Sequence, residues 1–217
     1  DSFFKYCEDL LHYYRDDKRI MHISGFNIMS KNTKVLPFSY SFSAIQACWG
    51  WASWKDRWQR YSYSIDFNQK LLLENPYFRN KKRLNYWKYI FTNVTSFNTW
   101  DYQWTYTILI NKGFCIIPSL NLITNIGFGS DSTHFQNCDT SLYRESYEIE
   151  KLIYNDSLKY DWNLISYTDK VVFNIHRTKF TDIIKLIIFS FPKFILKKIG
   201  LFNYVKSKYN SIKKINK

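Results

Sequence analysis

The 217-residue chain lacks most of the motifs that would announce a chemistry at sight. It has no Gly-rich phosphate loop, no Ser–His–Asp array and no paired C-x-x-C motif, which sets aside a P-loop nucleotidase, a triad hydrolase and a four-cysteine zinc site. It has no internal repeat, so it is not a solenoid or a propeller. No apolar run approaches the roughly 18–20 residues that a membrane-spanning helix needs. Four cysteines, Cys7, Cys48, Cys115 and Cys138, are scattered singly. They read as reduced, mostly buried thiols of a cytoplasmic chain, with Cys138 alone in a polar loop where exposure is expected. Acids are almost missing from one region. Residues 170–217 hold eleven lysines and Arg177 against Asp182, and so carry +11 of the chain's +13.

What is present is aromatic: Phe, Trp and Tyr make up 20% of the residues, enough to supply both a core and flat platforms for sugar C–H faces. The length suits one domain with an appendage, here 1–173 and 174–217. The opening DSFFKYCEDLLHYY is a helix with Phe3, Phe4, Cys7, Leu10, Leu11 and Tyr14 on one face. Arg19–Ser24 and Phe38–Phe42 read as strands, and His22 as a buried strand residue. Helices are also expected at Gln69–Glu74 and Tyr77–Asn93. The latter contains the basic run Arg79–Arg83, read as a solvated face with phosphate contact as the minority alternative.

The stretch Asn98–Phe135 is the one around which chemistry can gather. Trp100, Trp104, Ile108 and Leu109 recur at helical spacing, Asn98 or Thr99 can cap the start, and Gly113 sits at the stop. Asp101 then lies in the first turn, where the helix dipole favours a carboxylate. Phe114–Ile117 and Leu120–Ile126 follow as two short strands or one kinked at Pro118. Gly127 and Gly129 allow a tight turn before Asp131 and His134. Singly, Asp101 is more often a capping charge and His134 a solvated side chain. Together, an acid and an imidazole on successive elements can converge in one cleft. Upstream, Cys48–Tyr61 places Trp51, Trp54, Trp58 and Tyr61 at helical spacing, a packed face in the plain reading. Gly50, between two tryptophans, marks special backbone angles or a close approach.

WGWASWKDRW, TWDYQW and NIGFGSDSTH, in that order, resemble the C-terminal half of bacterial nucleotide-diphospho-sugar transferases, over roughly residues 1–173. The resemblance implies an α/β fold: a partial GT-A type domain, a mixed sheet with flanking helices, here followed by basic amphipathic C-terminal helices. It implies Asp101 as the base that takes the acceptor proton. His134 would be a ligand of a divalent cation (Mn2+ or Mg2+) on the leaving diphosphate. Gly50, Trp49, Trp51, Trp100 and Gln103 would border the substrates. The donor would be a nucleotide-diphospho-sugar, and the acceptor a hydroxyl of a cell-surface glycan or glycolipid. Such enzymes carry a nucleotide-binding β/α unit and a paired-aspartate metal motif ahead of the segment that Asp1–Asp17 resembles. The chain is therefore expected to be a fragment, with one face of its sheet partly uncovered.

In the tail, Phe180, Ile183, Ile184, Ile187, Ile188 and Phe191 form one helical stripe among lysines. This is the pattern of an interfacial helix on an anionic leaflet, and so of a peripheral location on the inner membrane face. The alternative to an enzyme is a non-catalytic basic module that binds membrane or nucleic acid. The charge sits in the tail and not across the Trp-rich part, so no nucleic acid is expected.

Overall fold

The computed structural model describes residues 2–29, 37–126 and 143–175. The chain divides into two compact units, Asp1–Phe173 and Asn174–Lys217, and all the secondary structure described belongs to the first. The Gly127–His134 turn, Cys138 and the amphipathic tail lie outside the described residues. Among the described residues, no helix is long and apolar enough to cross a membrane.

Strands Ile20–Ser24 (β1), Tyr40–Ser43 (β2), Trp51–Ala52 (β3) and Phe114–Pro118 (β4) form a four-stranded mixed sheet in the order β2-β4-β1-β3. β1 and β4 are parallel, while β2 and β3 pair antiparallel at the two sides. Helices Ser2–Tyr13 (α1), Lys55–Trp58 (α2), Gln69–Leu73 (α3), Lys81–Thr92 (α4), Asp101–Ile110 (α5) and Trp162–Val171 (α6) flank it. The architecture is α/β.

Period-two alternation sorts β4. Ile116 faces Tyr6, Cys7 and Leu10 of α1, while Cys115 and Ile117 face Trp104 and Ile108 of α5. In β1 the alternation breaks. Ile20 pairs with Phe114 and His22 with Cys115, so two residues of β1 oppose one of β4. This bulge puts Met21 against α5, and His22 there too. All five residues of β1 are buried, so the expected uncovered face is not found at the sheet centre, where α1 and α5 cover both sides. A third cluster lies beside α5, where α3, α4 and α6 gather Leu72, Trp87, Phe91, Tyr106 and Ile165.

The end of α5 shows why glycine stands at 113. Lys112 takes φ +53°, and the Gly113 N–H reaches the Ile108 carbonyl at 2.9 Å, closing the helix in a Schellman turn. A Cβ on Gly113 would stand 2.6 Å from the Met21 sulfur. The left-handed residue is thus a lysine, and the glycine is needed where the helix end touches β1.

The structure corrects four expectations. Trp51 does not open a helix: Trp51–Ala52 pairs with Ser24 and Ile23, and the helix is confined to Lys55–Trp58. Trp54 leaves the supposed common face, and its indole N–H donates to Leu11 of α1. Leu120–Ile126 is not a strand; Asn121 is buried there, and its amide ties the loop to the Ile123 and Glu145 carbonyls. Phe4 is 71% exposed and leaves the expected face of α1, where Tyr6 is buried alongside the expected Cys7, Leu10 and Tyr14.

Candidate functional site

The segment after β2 is held against the sheet by two side chains of β1. Ser24 Oγ donates to the Ala47 carbonyl and accepts from the Ala47 N–H. His22 Nε2 lies 3.1 Å from the same carbonyl, and Trp104 Nε1 lies 3.1 Å from His22 Nδ1. A carbonyl can only accept and an indole N–H can only donate, so the imidazole is neutral with its proton on Nε2. Burial lowers the His22 pKa from 6.5 to about 4, with the Ala47 bond opposing in part. The expected buried strand histidine is found.

So anchored, the segment presents Gln46, Cys48 and Trp49 to a cleft of about 690 Å³. Across from them stands the N-terminus of α5. Trp100 is its cap residue and makes no side-chain cap bond, in place of the expected cap by Asn98 or Thr99. The Thr99 hydroxyl instead donates to Asp101 Oδ1 and holds the carboxylate. The Gln46 amide donates to the Asp101 carbonyl at 3.4 Å and to Thr105 Oγ1 at 3.3 Å. Its own oxygen is buried with no partner among the described residues. Cys48 is pushed up to about 11, by burial first and by the Asp101 charge second, so the thiol stays protonated beside the carboxylate.

The remaining wall comes from α4, from α6 and the two residues after it, from the segment before α5 and from the first turn of α5: Trp87, Phe97, Tyr102, Leu164, Val172 and Phe173. A buried network fixes it. Arg83 Nε donates to Asp169 Oδ2 at 2.6 Å, the Tyr77 hydroxyl donates to Asp169 Oδ1 at 2.7 Å, and Trp87 Nε1 donates to the Tyr77 hydroxyl at 2.9 Å. Arg83 belongs to the run read as a solvated face. Arg79, Lys81 and Lys82 are exposed as expected, but Arg83 turns inward under Trp162 and Tyr77.

Of the residues singled out from sequence, Asp101, Trp49 and Trp100 line the cleft together. Trp51 does not. It stacks on His22 at 5.3 Å and joins Trp58, Trp100 and Trp104 in a cluster on which Trp100 remains 37% exposed. Gly50 has φ +58°, as its place between tryptophans suggested, but its close approach is to Ile123, whose Cγ1 would lie 2.5 Å from an added Cβ. Gln103 is 1% exposed, does not line the cleft, and neither end of its amide has a partner among the described residues. His134 lies outside the described residues. Among them, no three His, Cys, Asp or Glu side chains converge to hold a metal ion. Gln46, Cys48, Thr99 and the whole α6 wall were not anticipated. Only α6 carried a signal, Asp161, whose carboxylate caps the helix by accepting from the Asn163 and Leu164 N–H groups.

No protein-family model matches the chain, and neither does any curated protein or solved structure.

Proposed function

We propose that the chain acts in glycosyl transfer, as part of a GT-A type domain, moving a sugar from a nucleotide-diphospho-sugar to a hydroxyl of a cell-surface glycan or glycolipid. One observation carries this reading: Asp101 is the one carboxylate among the described residues of an aromatic-walled cleft, and it is held by Thr99. Cys48 beside it keeps its proton, so Asp101 is the group there suited to accept one from a substrate hydroxyl. Trp49 and Trp100 line the same cleft, and indole rings suit the flat C–H face of a sugar. Gln46 lines the cleft beside Asp101, and its amide oxygen has no partner among the described residues.

Within this reading, the orienting work falls to the anchored 46–49 segment and the proton to Asp101. A divalent cation, Mn2+ or Mg2+, would neutralise the leaving diphosphate when bound. The described residues do not supply its ligands, and His134 is the side chain proposed for it.

The test is transfer from a panel of nucleotide sugars, wild type against Asp101→Asn. The amide keeps the size of the carboxylate but cannot take the proton. Turnover is expected to fall by about 10²–10⁴-fold with acceptor binding little changed. Unchanged turnover would remove Asp101 as the base.

A peripheral membrane location belongs to the same proposal and rests on the +11 charge of residues 170–217. Removing residues 181–217 is expected to abolish binding to anionic vesicles. Equal binding by the shortened chain would overturn that location.

A further inference from the structure

The cleft has two chemically different walls, and the difference bears on what enters it. Asp101 is the one charged side chain among the described lining residues, with no lysine, arginine or histidine. A diphosphate brought against a carboxylate and no cation would be repelled as well as desolvated. The space bounded by these residues therefore suits an uncharged molecule, the acceptor and not the donor diphosphate.

On the wall formed by α4, α6, Phe97 and Tyr102, the polar atoms are already engaged within the protein. The Trp87 indole N–H is given to Tyr77. The Tyr86 and Tyr102 hydroxyls bond each other. Thr168 Oγ1 donates back to the Leu164 carbonyl at 2.9 Å. What this wall offers a visitor is the rings of Phe97, Tyr102, Trp87 and Phe173 with Leu164 and Val172. These rings pack on one another, Phe97 on Tyr102 at 5.4 Å and Trp87 on Phe173 at 5.1 Å, so the surface is built and not loosely assembled. Across it stand Asp101 and Gln46, whose amide oxygen is buried without a partner among the described residues. An apolar wall whose hydrogen bonds are complete and a polar wall with an unmet acceptor describe the negative of an amphiphile.

We propose that the α4–α6 wall is a subsite for an apolar group carried by the acceptor, an alkyl or aryl aglycone, while its hydroxyl-bearing head lies at Asp101 and Gln46. The inference rests on the glycosyl-transfer reading for the head, and on the wall itself for the apolar arm.

The probes are methyl, butyl, hexyl and octyl β-glucoside, below micelle-forming concentrations, with octanol as the headless control. Binding to the full chain is followed by calorimetry and tryptophan fluorescence, Trp49, Trp87 and Trp100 all lining the cleft. Affinity should rise by about fourfold for each methylene that enters the wall. Val172 is 38% exposed on the cleft, so Val172→Asn can be made without emptying the core. It should weaken octyl glucoside about tenfold and leave methyl glucoside unchanged. Phe173→Ala should act in the same direction, with thermal melts verifying the fold.

Equal or absent affinity across the series would overturn the subsite, as would a Val172→Asn variant that binds octyl glucoside normally. Octanol binding as tightly as octyl glucoside, with chain-length dependence intact, would uphold the apolar subsite and overturn the sugar-transfer reading on which the head group rests.

Discussion

Two regions of this domain each bury an arginine, and they neutralise it by different means. In the sheet region, Arg57 of α2 is fully buried and donates to the carbonyls of Tyr14, Arg15, Asp17 and Ile20 as the chain leaves α1 and enters β1. The carboxylate paired with it, Asp56, is 45% exposed. In the helical region, Arg83 is paired with Asp169, which is fully buried and shared with Tyr77. Backbone dipoles cannot be titrated or deleted by a side-chain change. A buried counter-charge can be, and its removal strands the arginine. The helical region, which carries the apolar wall of the cleft, is therefore the more fragile of the two under substitution.

The sharpest way to break this comparison is Asp169→Ala. It leaves the Arg83 guanidinium buried and unpaired, and is expected to cost about 3–5 kcal/mol in urea unfolding. If the cost were below about 1 kcal/mol, the network would not be what holds α4 to α6.

The next effect belongs to the sheet region and to acid. His22 is neutral when folded, with its pKa lowered from 6.5 to about 4. An unfolded chain takes up its proton first, so this contribution is fully present above pH 6.5 and falls away as pH drops toward 4. The loss across that window is about 3 kcal/mol. Urea midpoints of wild type and His22→Gln should diverge above pH 6.5 and converge near pH 4. Parallel curves would show that His22 is not the titrating group.

The two regions also differ in how far they can be read from sequence. The central strands and α1 and α5 were legible because their signals are local: IMHIS and FCIIP are short, mostly apolar runs, as strands covered on both faces should be. Asp101 was legible for the same reason, since a first-turn acid follows from where the helix begins. Trp51 misled. Three indoles at helical spacing match the wrong period, and what decides is Ile23 and Ser24 of β1, nearly thirty residues away, with the Gly25 N–H bonded to the Gly50 carbonyl at 2.7 Å. Arg83 could not be told from its basic neighbours, because its partner lies 86 residues along the chain. The apolar wall was invisible until α6 was folded against α4. Its residues are unremarkable individually, and their meaning is that their polar atoms are already engaged.

The β1–β4 pairing has a kinetic meaning. The two central strands are joined directly, Ile23 beside Ile116, although roughly 90 residues separate them in the chain. Bringing such distant segments together costs about 4 kcal/mol of chain entropy before any contact repays it. During synthesis, β1 leaves the ribosome long before its parallel neighbour exists, and its ladder groups on that side have no strand to meet. The helices coded between them must gather first and carry β4 back into register. The sheet at the centre of this molecule is thus completed only after β4 has emerged, and the cleft, whose anchors at Ser24 and His22 belong to that sheet, cannot be finished before it.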